Sequence, residues 1–365
     1  MWTAASGCGG PPGARIDAIA PGAAPSAPLP LAPAGALAVA GGPKGLIAVA
    51  GADPRRPGHA LVVQGLARGP FAPLPQAGAR MPGTVLASAY LGDLALLGRH
   101  GGALSLEVQR WFGGPPGPSR TVAISAAPPA DATVALDYRS DALAAWTAGG
   151  SVWARALPAS GRRLPVQRLG PAGVGTRIAA LLSDDNRAIV MWSAVRAGAT
   201  DVYLDQSATG PRFSAPARRI EHGPGAGGPP APAVSPQLIR LSSESVMAAW
   251  AGVEGSRWVT RSAPIDQRGL RMISTISGAL PAALAPGPRG EAVMLLSEPE
   301  GPGRAVLLAA RGTEAEGRTL FGTPVPLAGP GPLSAATVAV EPGTDRAFAA
   351  WRGAAGTIGY SVGGP

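Results

Sequence analysis

An all-β fold of repeated antiparallel units is predicted by three observations on this 365-residue chain: a recurring apolar run, a near-constant spacing, and turn residues between the runs. The run is a turn or polar residue followed by five small or apolar residues, often closed by tryptophan. It appears at Gly45–Ala50, Asp93–Gly98, Asp141–Trp146, Arg187–Trp192, Ser245–Trp250, Glu291–Leu296 and Arg346–Trp351. The last residues, 50, 98, 146, 192, 250, 296 and 351, are separated by 48, 48, 46, 58, 46 and 55 positions. Periods of about 40–50 residues mark repeat arrays in which one supersecondary unit buries its apolar face only against the next. The 53 glycines and 41 prolines punctuate these runs, as short strands joined by tight turns require.

The third repeat shows the unit. Thr133–Tyr138 reads as a first strand, Arg139–Asp141 as a tight turn and Ala142–Trp146 as a second strand. Ala148–Gly150 turns into a third, Ser151–Ala156, and Arg162–Arg168 makes a polar fourth strand containing proline. Four strands in about 48 residues make one propeller blade. The second strand is apolar throughout, as a strand covered on both faces must be. Its alanines allow close approach between blades and the terminal Trp fills the widening wedge. Arginine and proline on the fourth strand protect an exposed edge from pairing.

Seven repeats predict a seven-bladed β-propeller with four antiparallel strands per blade. The seventh repeat offers three strands, at Ala336–Val340, up to Trp351, and Thr357–Val362. Ala14–Ile19 reads as a stray fourth strand able to close that last blade. The chain thus divides into an N-terminal segment, 1–13, and a propeller, 14–365. The pattern resembles the bacterial seven-bladed propellers whose second strand reads Gly/Asp-x-Ala-x-Ala-Trp, a resemblance that implies a fold and no activity. The sialidase Asp box, the Trp-Asp and Gly-His signatures of WD40 blades and the paired glycines of kelch blades are absent.

Charged residues make up 15% of the chain and the net charge is +9, with Lys44 the sole lysine. No apolar run approaches the ~18 residues of a membrane span. Cys8 is the only cysteine, so neither a disulfide framework nor a cysteine metal site is expected. Ala5-Ser6-Gly7-Cys8-Gly9-Gly10 resembles a bacterial lipobox, with Ala5 where that motif usually has Leu. The resemblance implies lipidation at Cys8, a glycine- and proline-rich tether after it, and an extracytoplasmic location. Seven residues before Cys8 leave no room for a signal peptide, so the resemblance implies a longer precursor.

Chemistry is sparse. His59, His100 and His222 have no partner at metal-ligand spacing, so no metal or other cofactor is expected. Asp184-Asp185-Asn186 lacks the later Gly and Glu of a calcium loop and occupies the turn slot also held by Asp93, Asp141 and Asp345. No nucleophile motif is present and no catalytic residue is assigned. Recurrence at one position makes Trp146, Trp192, Trp250 and Trp351 packing residues, which leaves Trp111, Trp153 and Trp258 for exposed surfaces. Turns between second and third strands share a face with the interblade connections. That face carries Arg55, Arg56, His59, Arg99, His100, Arg196, Arg257, Arg304 and Arg352. The insertion at 220–236 adds Glu221 and His222 there. The opposite face carries Asp93, Asp141, Asp184, Asp185, Glu244 and Asp345. Outer strands add Arg120, Arg162, Arg163, Arg218, Arg219 and Arg271.

The expected site is that arginine-bearing face with the channel mouth, centred on Arg55, Arg56, His59, Arg99, His100, Arg196, Glu221, His222 and Arg257. The expected function is non-catalytic: a monomeric, envelope-associated scaffold for a protein or acidic polymer. Nucleic acid is not an expected partner, because the arginines are scattered round the ring, and a membrane would be met only through the anchor. The alternative expectation is a glycan-binding or glycan-processing propeller with its site at the channel mouth.

Overall fold

The computed structural model describes residues 29, 31–32, 37–66, 70–74, 85–88, 92–100, 103–110, 117–124, 129, 131–196, 198–208, 210–223, 234–242, 245–287, 290–333, 335–341, 346–353 and 358–362. Their strands pair into seven antiparallel sheets, numbered here in chain order. Six contain four strands or more; the seventh contains three, Ala335–Val340, Ala347–Arg352 and Ile358–Val362. The first strand of each sheet packs beside that of the next, and Ala335–Val340 of the seventh returns to Ala38–Gly41 of the first. The architecture is a β-propeller of four-stranded antiparallel blades, with no helix among the described residues long and apolar enough to cross a membrane.

The blade count departs from expectation. Six complete four-stranded blades are present where the repeats predicted seven, because the described residues supply no fourth strand to the last sheet. Residues 14–19, expected in that place, lie outside the described residues, as do Cys8 and the whole of 1–13.

Burial follows the interfaces. Each pair of neighbouring sheets, the last and first included, encloses its own apolar cluster. Second strands such as Ala142–Ala148 and Ala188–Arg196 lie between two clusters, which explains their unbroken apolar runs. Trp146, Trp192 and Trp250 each pack toward the preceding sheet. The Trp192 indole donates to the Pro171 carbonyl of the third sheet at 3.0 Å and stacks on Tyr203, with centroids 5.3 Å apart. Buried tryptophans need such a partner for the ring nitrogen. Closure between the seventh and first sheets depends on Gly41, where an added Cβ would lie 2.6 Å from the Val340 carbonyl oxygen.

Three details differ from the sequence reading. The fourth strand of the third sheet is Gln167–Pro171, displaced toward the chain's C-terminal end from 162–168, because Pro165 and the exposed residues around it break the ladder. Residues 311–332 lie between two repeat runs and contribute no apolar run of their own, yet they are largely strand: they complete Arg304–Ala315 and add Arg318–Phe321 and Val325–Gly331. Their glycines and prolines sit on outer strands, where they are tolerated. Arg352, placed on the arginine face by its turn position, is instead 2% exposed and donates to the Ala32 carbonyl.

Candidate functional site

Because every sheet begins at the axis, the seven first strands enclose a central cavity of about 710 Å³. Its wall is small and apolar, with Ala40, Ala87, Ala135, Ala180, Ala285 and Ala339 among the lining residues. Polar groups gather at one end only, where first strands turn into second strands: Tyr138, Asp184, Arg240, Ser242 and Glu341. Asp184 of the fourth sheet pairs with Arg240 of the fifth. Arg139 lies over the Tyr138 ring, 5.1 Å from its centroid. Behind Tyr138, buried Asp137 accepts from the backbone nitrogens of Arg139 and Asp141 at 2.9 and 2.8 Å, which fixes that turn. Desolvation raises the Asp137 pKa above the ordinary carboxylate value, against those hydrogen bonds.

This polar mouth opens on the face opposite the expected arginine cluster. Arg55 and Arg56 are exposed in the turn before Ala60–Leu66, where Asp53 accepts the Arg55 backbone N–H at 2.8 Å. His59 is half-buried beside them. Arg196 and Arg257 are exposed at equivalent turns of the fourth and fifth sheets. Arg99 and His100 end the strand Asp93–His100, and their side chains lie outside the described residues. These turns belong to different blades and form no common contact among the described residues, so the structure does not assemble them into one site. Trp111, Glu244 and Asp345 also lie outside the described residues.

Glu221 and His222 end the outer strand Arg218–His222 and diverge to opposite faces of it. Glu221 turns to the fifth sheet, accepting from the Trp250 indole at 3.2 Å and pairing with Arg261 at 3.0 Å. His222 turns to Asp201, with Nδ1 2.6 Å from the carboxylate. A register shift between Val202 and Tyr203 pairs Arg219 with Tyr203 and His222 with Asp201. Four polar groups thereby share one side of the sheet: Asp201 receives the Tyr203 hydroxyl at 3.0 Å and lies 3.6 Å from Arg219. The Asp201 side chain is 7% exposed and that of His222 57%. This holds the outer strand to its neighbour and leaves one imidazole nitrogen toward solvent. Asp201 and Tyr203 were not singled out in the sequence; their only signal was two polar side chains at alternate positions of a strand. No group of three His, Cys, Asp or Glu able to hold a metal occurs among the described residues.

A second cavity, about 740 Å³, lies between the second and third sheets. It is lined by Val122 and Ile124 of the second sheet and by Trp153, Arg163 and Val166 of the third. Arg155 spans it, donating to the carbonyls of Leu164 at 2.9 Å and Val122 at 2.9 Å. Of the tryptophans expected to be exposed, Trp153 is the one that structure places at a cavity.

No family model matches this chain, and no curated protein matches it. Among solved structures, SapL1 lectin in complex with alpha methyl fucoside is 13% identical, over 81% of this chain and 97% of that one, with a TM-score of 0.51. A fungal lectin, Aleuria aurantia lectin, described as a six-bladed β-propeller with a novel fucose recognition mode, is 13% identical over 83% and 99%, with a TM-score of 0.45. A puromycin hydrolase is 17% identical over 87% of this chain, which spans about half, 50%, of that protein, with a TM-score of 0.48. At these identities the likeness is one of fold.

Proposed function

We propose that this chain is a non-catalytic binding propeller whose partner engages the polar mouth of the central channel. The observation that carries the reading is the 710 Å³ cavity, walled by all seven sheets and rimmed at one end by Tyr138, Asp184, Arg240, Ser242 and Glu341. Concave sites with an apolar wall and a few convergent polar groups are the usual form of ligand sites. The partner is an envelope protein or an acidic polymer, met outside the cytoplasm by a monomer anchored through lipidated Cys8.

The test is capture from envelope extract with the full chain, beside a Ser242→Trp variant that plugs the mouth. A discrete partner retained by the wild type and lost by the variant supports the reading. Equal capture by both moves the site away from the channel.

The groove between the second and third sheets favours a second reading, glycan binding: an aromatic side chain, Trp153, lining the same groove as Arg163, which makes no ion pair among the described residues, suits a sugar ring carrying an acidic group. A glycan array probed with wild type and with Trp153→Ala separates the two. Saccharide binding that the Trp153 change abolishes and Ser242→Trp spares would establish the groove instead.

A further inference from the structure

The fifth and sixth sheets break the regularity of the ring on the same side. In each, the third strand runs past its neighbours and folds back as a hairpin. In the fifth, Arg257–Asp266 returns as Gly269–Leu270; in the sixth, Arg304–Ala315 returns as Arg318–Phe321. The two hairpins are fastened together. The Ser262 and Thr319 hydroxyls lie 2.5 Å apart, Ser274 donates to the Thr319 carbonyl at 2.6 Å, and Met272 N–H donates to the Gly317 carbonyl at 3.2 Å. Gln206 of the fourth sheet ties the first hairpin down through the Asp266 and Gln267 carbonyls.

This rigid extension displays apolar side chains to water: Met272 is 57% exposed, Ile273 45% and Leu320 48%. Three of the eight large exposed apolar residues among the described residues thus stand close together, with Met272 bridged to Arg318 beside Leu320. Arg268, at the first turn, makes no side-chain ion pair among the described residues, and neither does Arg218, beside Gly269. Arg271 and Arg318 flank the patch, facing only Asp266 and Glu316 at 3.3 and 3.4 Å across exposed pairs that contribute little. Among the described residues, four arginines thus surround the apolar centre beside the exposed carboxylates of Asp266 and Glu316, while the hairpin's other carboxylate, Glu314, accepts from Ser245.

We propose that this paired-hairpin extension docks the propeller on an anionic phospholipid surface. Aliphatic side chains enter the boundary between headgroups and acyl chains while guanidinium groups bond phosphates, the division of labour seen in peripheral membrane attachment. The charge complementarity selects anionic lipid over neutral lipid. The surface lies on outer strands, at the end of the sheets where first strands turn into second strands and the channel mouth opens.

The experiment is flotation of the full chain with vesicles of phosphatidylcholine alone and with ~30% phosphatidylglycerol, at low and at physiological salt. Binding to the anionic vesicles only, weakening with salt, is expected. Arg218→Gln with Arg268→Gln should lower partitioning about fivefold per arginine removed. Met272→Ser with Leu320→Ser should remove most of what remains at physiological salt, while Arg162→Gln on the third sheet leaves binding unchanged. Absence of vesicle binding overturns the proposal. So does binding that both double variants retain in full, or that Arg162→Gln reduces equally. Because the changed side chains are exposed, each variant's thermal unfolding checks that the fold persists, and partner capture through Ser242 reads the channel separately.

Discussion

The third and sixth sheets are built on one plan and diverge from the inside outward. Their inner halves agree: Ala132–Leu136 with Ala142–Ala148 in one, and Leu280–Pro286 with the start of Glu291–Gly301 in the other, pair antiparallel and bury most of their side chains, the second strands most completely. Their outer halves do not. The third strand of the third sheet, Ser151–Leu157, has 7 residues and one outer partner. That of the sixth, Arg304–Ala315, has 12 and serves two, Val325–Gly331 beside its first part and Arg318–Phe321 beside its last. Neighbouring blades constrain the inner strands on both faces, whereas an outer edge meets water and can lengthen without disturbing the ring. Variation, and the surfaces that variation creates, therefore collects at the rim.

The largest effect tests the conserved half of that plan. Trp192→Ala removes a fully buried ring that stacks on Tyr203 and bonds the third sheet, so a loss of about 3–5 kcal/mol is expected in urea denaturation. Leu296, also fully buried, fills the equivalent place in the sixth sheet without an indole. Leu296→Ala should cost about 2–4 kcal/mol, less than the tryptophan. Equal losses would mean that the tryptophan adds nothing beyond filling volume.

A second test uses a position two residues before that tryptophan and opposite it on the third strand. The register places Arg155 there in the third sheet, Asp205 in the fourth, Ala263 in the fifth and Ala310 in the sixth. Arg155 reaches out to three carbonyls, but Asp205 is 4% exposed and burial raises its pKa to about 7. A carboxyl whose folded value is raised contributes stability in full below its unfolded value near 3.8 and loses it as pH climbs through 7. Asp205→Asn should therefore match the wild type near pH 4 and exceed it by about 2–4 kcal/mol at pH 8, read from the urea midpoint at each pH. A wild type whose advantage grows with pH would reverse the sign and show the carboxylate to be paired.

These contrasts explain what the sequence disclosed. Blade composition was legible at Ala142–Trp146 because a strand sandwiched between two sheets must be apolar at every position, and at Arg139–Asp141 because polar turn residues interrupt two apolar runs, although the acceptor that fixes the turn, Asp137, was read as part of the first strand. Rim structure was not legible: Arg318–Phe321 and Val325–Gly331 carry the glycine, proline and charge that also mark loops, and an edge strand tolerates all three. The site was hidden for a related reason. The channel mouth gathers Tyr138, Asp184, Arg240, Ser242 and Glu341 from four different sheets, at the ends of the inner strands or within two residues beyond them, with no spacing to connect them. The arginine turns looked like a cluster because the ring puts them on one face, yet each sits over its own blade.

A smaller effect probes how the rim extension is attached. Thr319→Val keeps the volume but removes the hydroxyl facing Ser262, both groups being buried. A loss of about 1–2 kcal/mol is expected, the usual consequence of stranding one buried hydroxyl. Hydrogen exchange should place the loosening at 318–321 and leave 291–296 protected, since the inner strands do not depend on the rim. Loosening that spread to 291–296 would show that the two halves of the blade are one cooperative unit.

The smallest stability effects separate exposed apolar residues that are incidental from those that serve a partner. Ile124, 84% exposed, ends the outer strand of the second sheet; Leu320, 48% exposed, sits on the paired hairpins. Ile124→Ser should alter stability by less than about 0.5 kcal/mol, because its side chain scarcely leaves water on folding, and Leu320→Ser by about 1 kcal/mol, because half of the side chain does. Their consequences should divide by partner. Leu320→Ser should reduce flotation with anionic vesicles and Ile124→Ser should not, while only Ile124, on the wall of the groove beside Trp153, can influence a saccharide held there. If both substitutions weakened vesicle binding to the same degree, the hairpins would be one apolar part of a generally adhesive rim, and the asymmetry between the third and sixth sheets would carry structure without function.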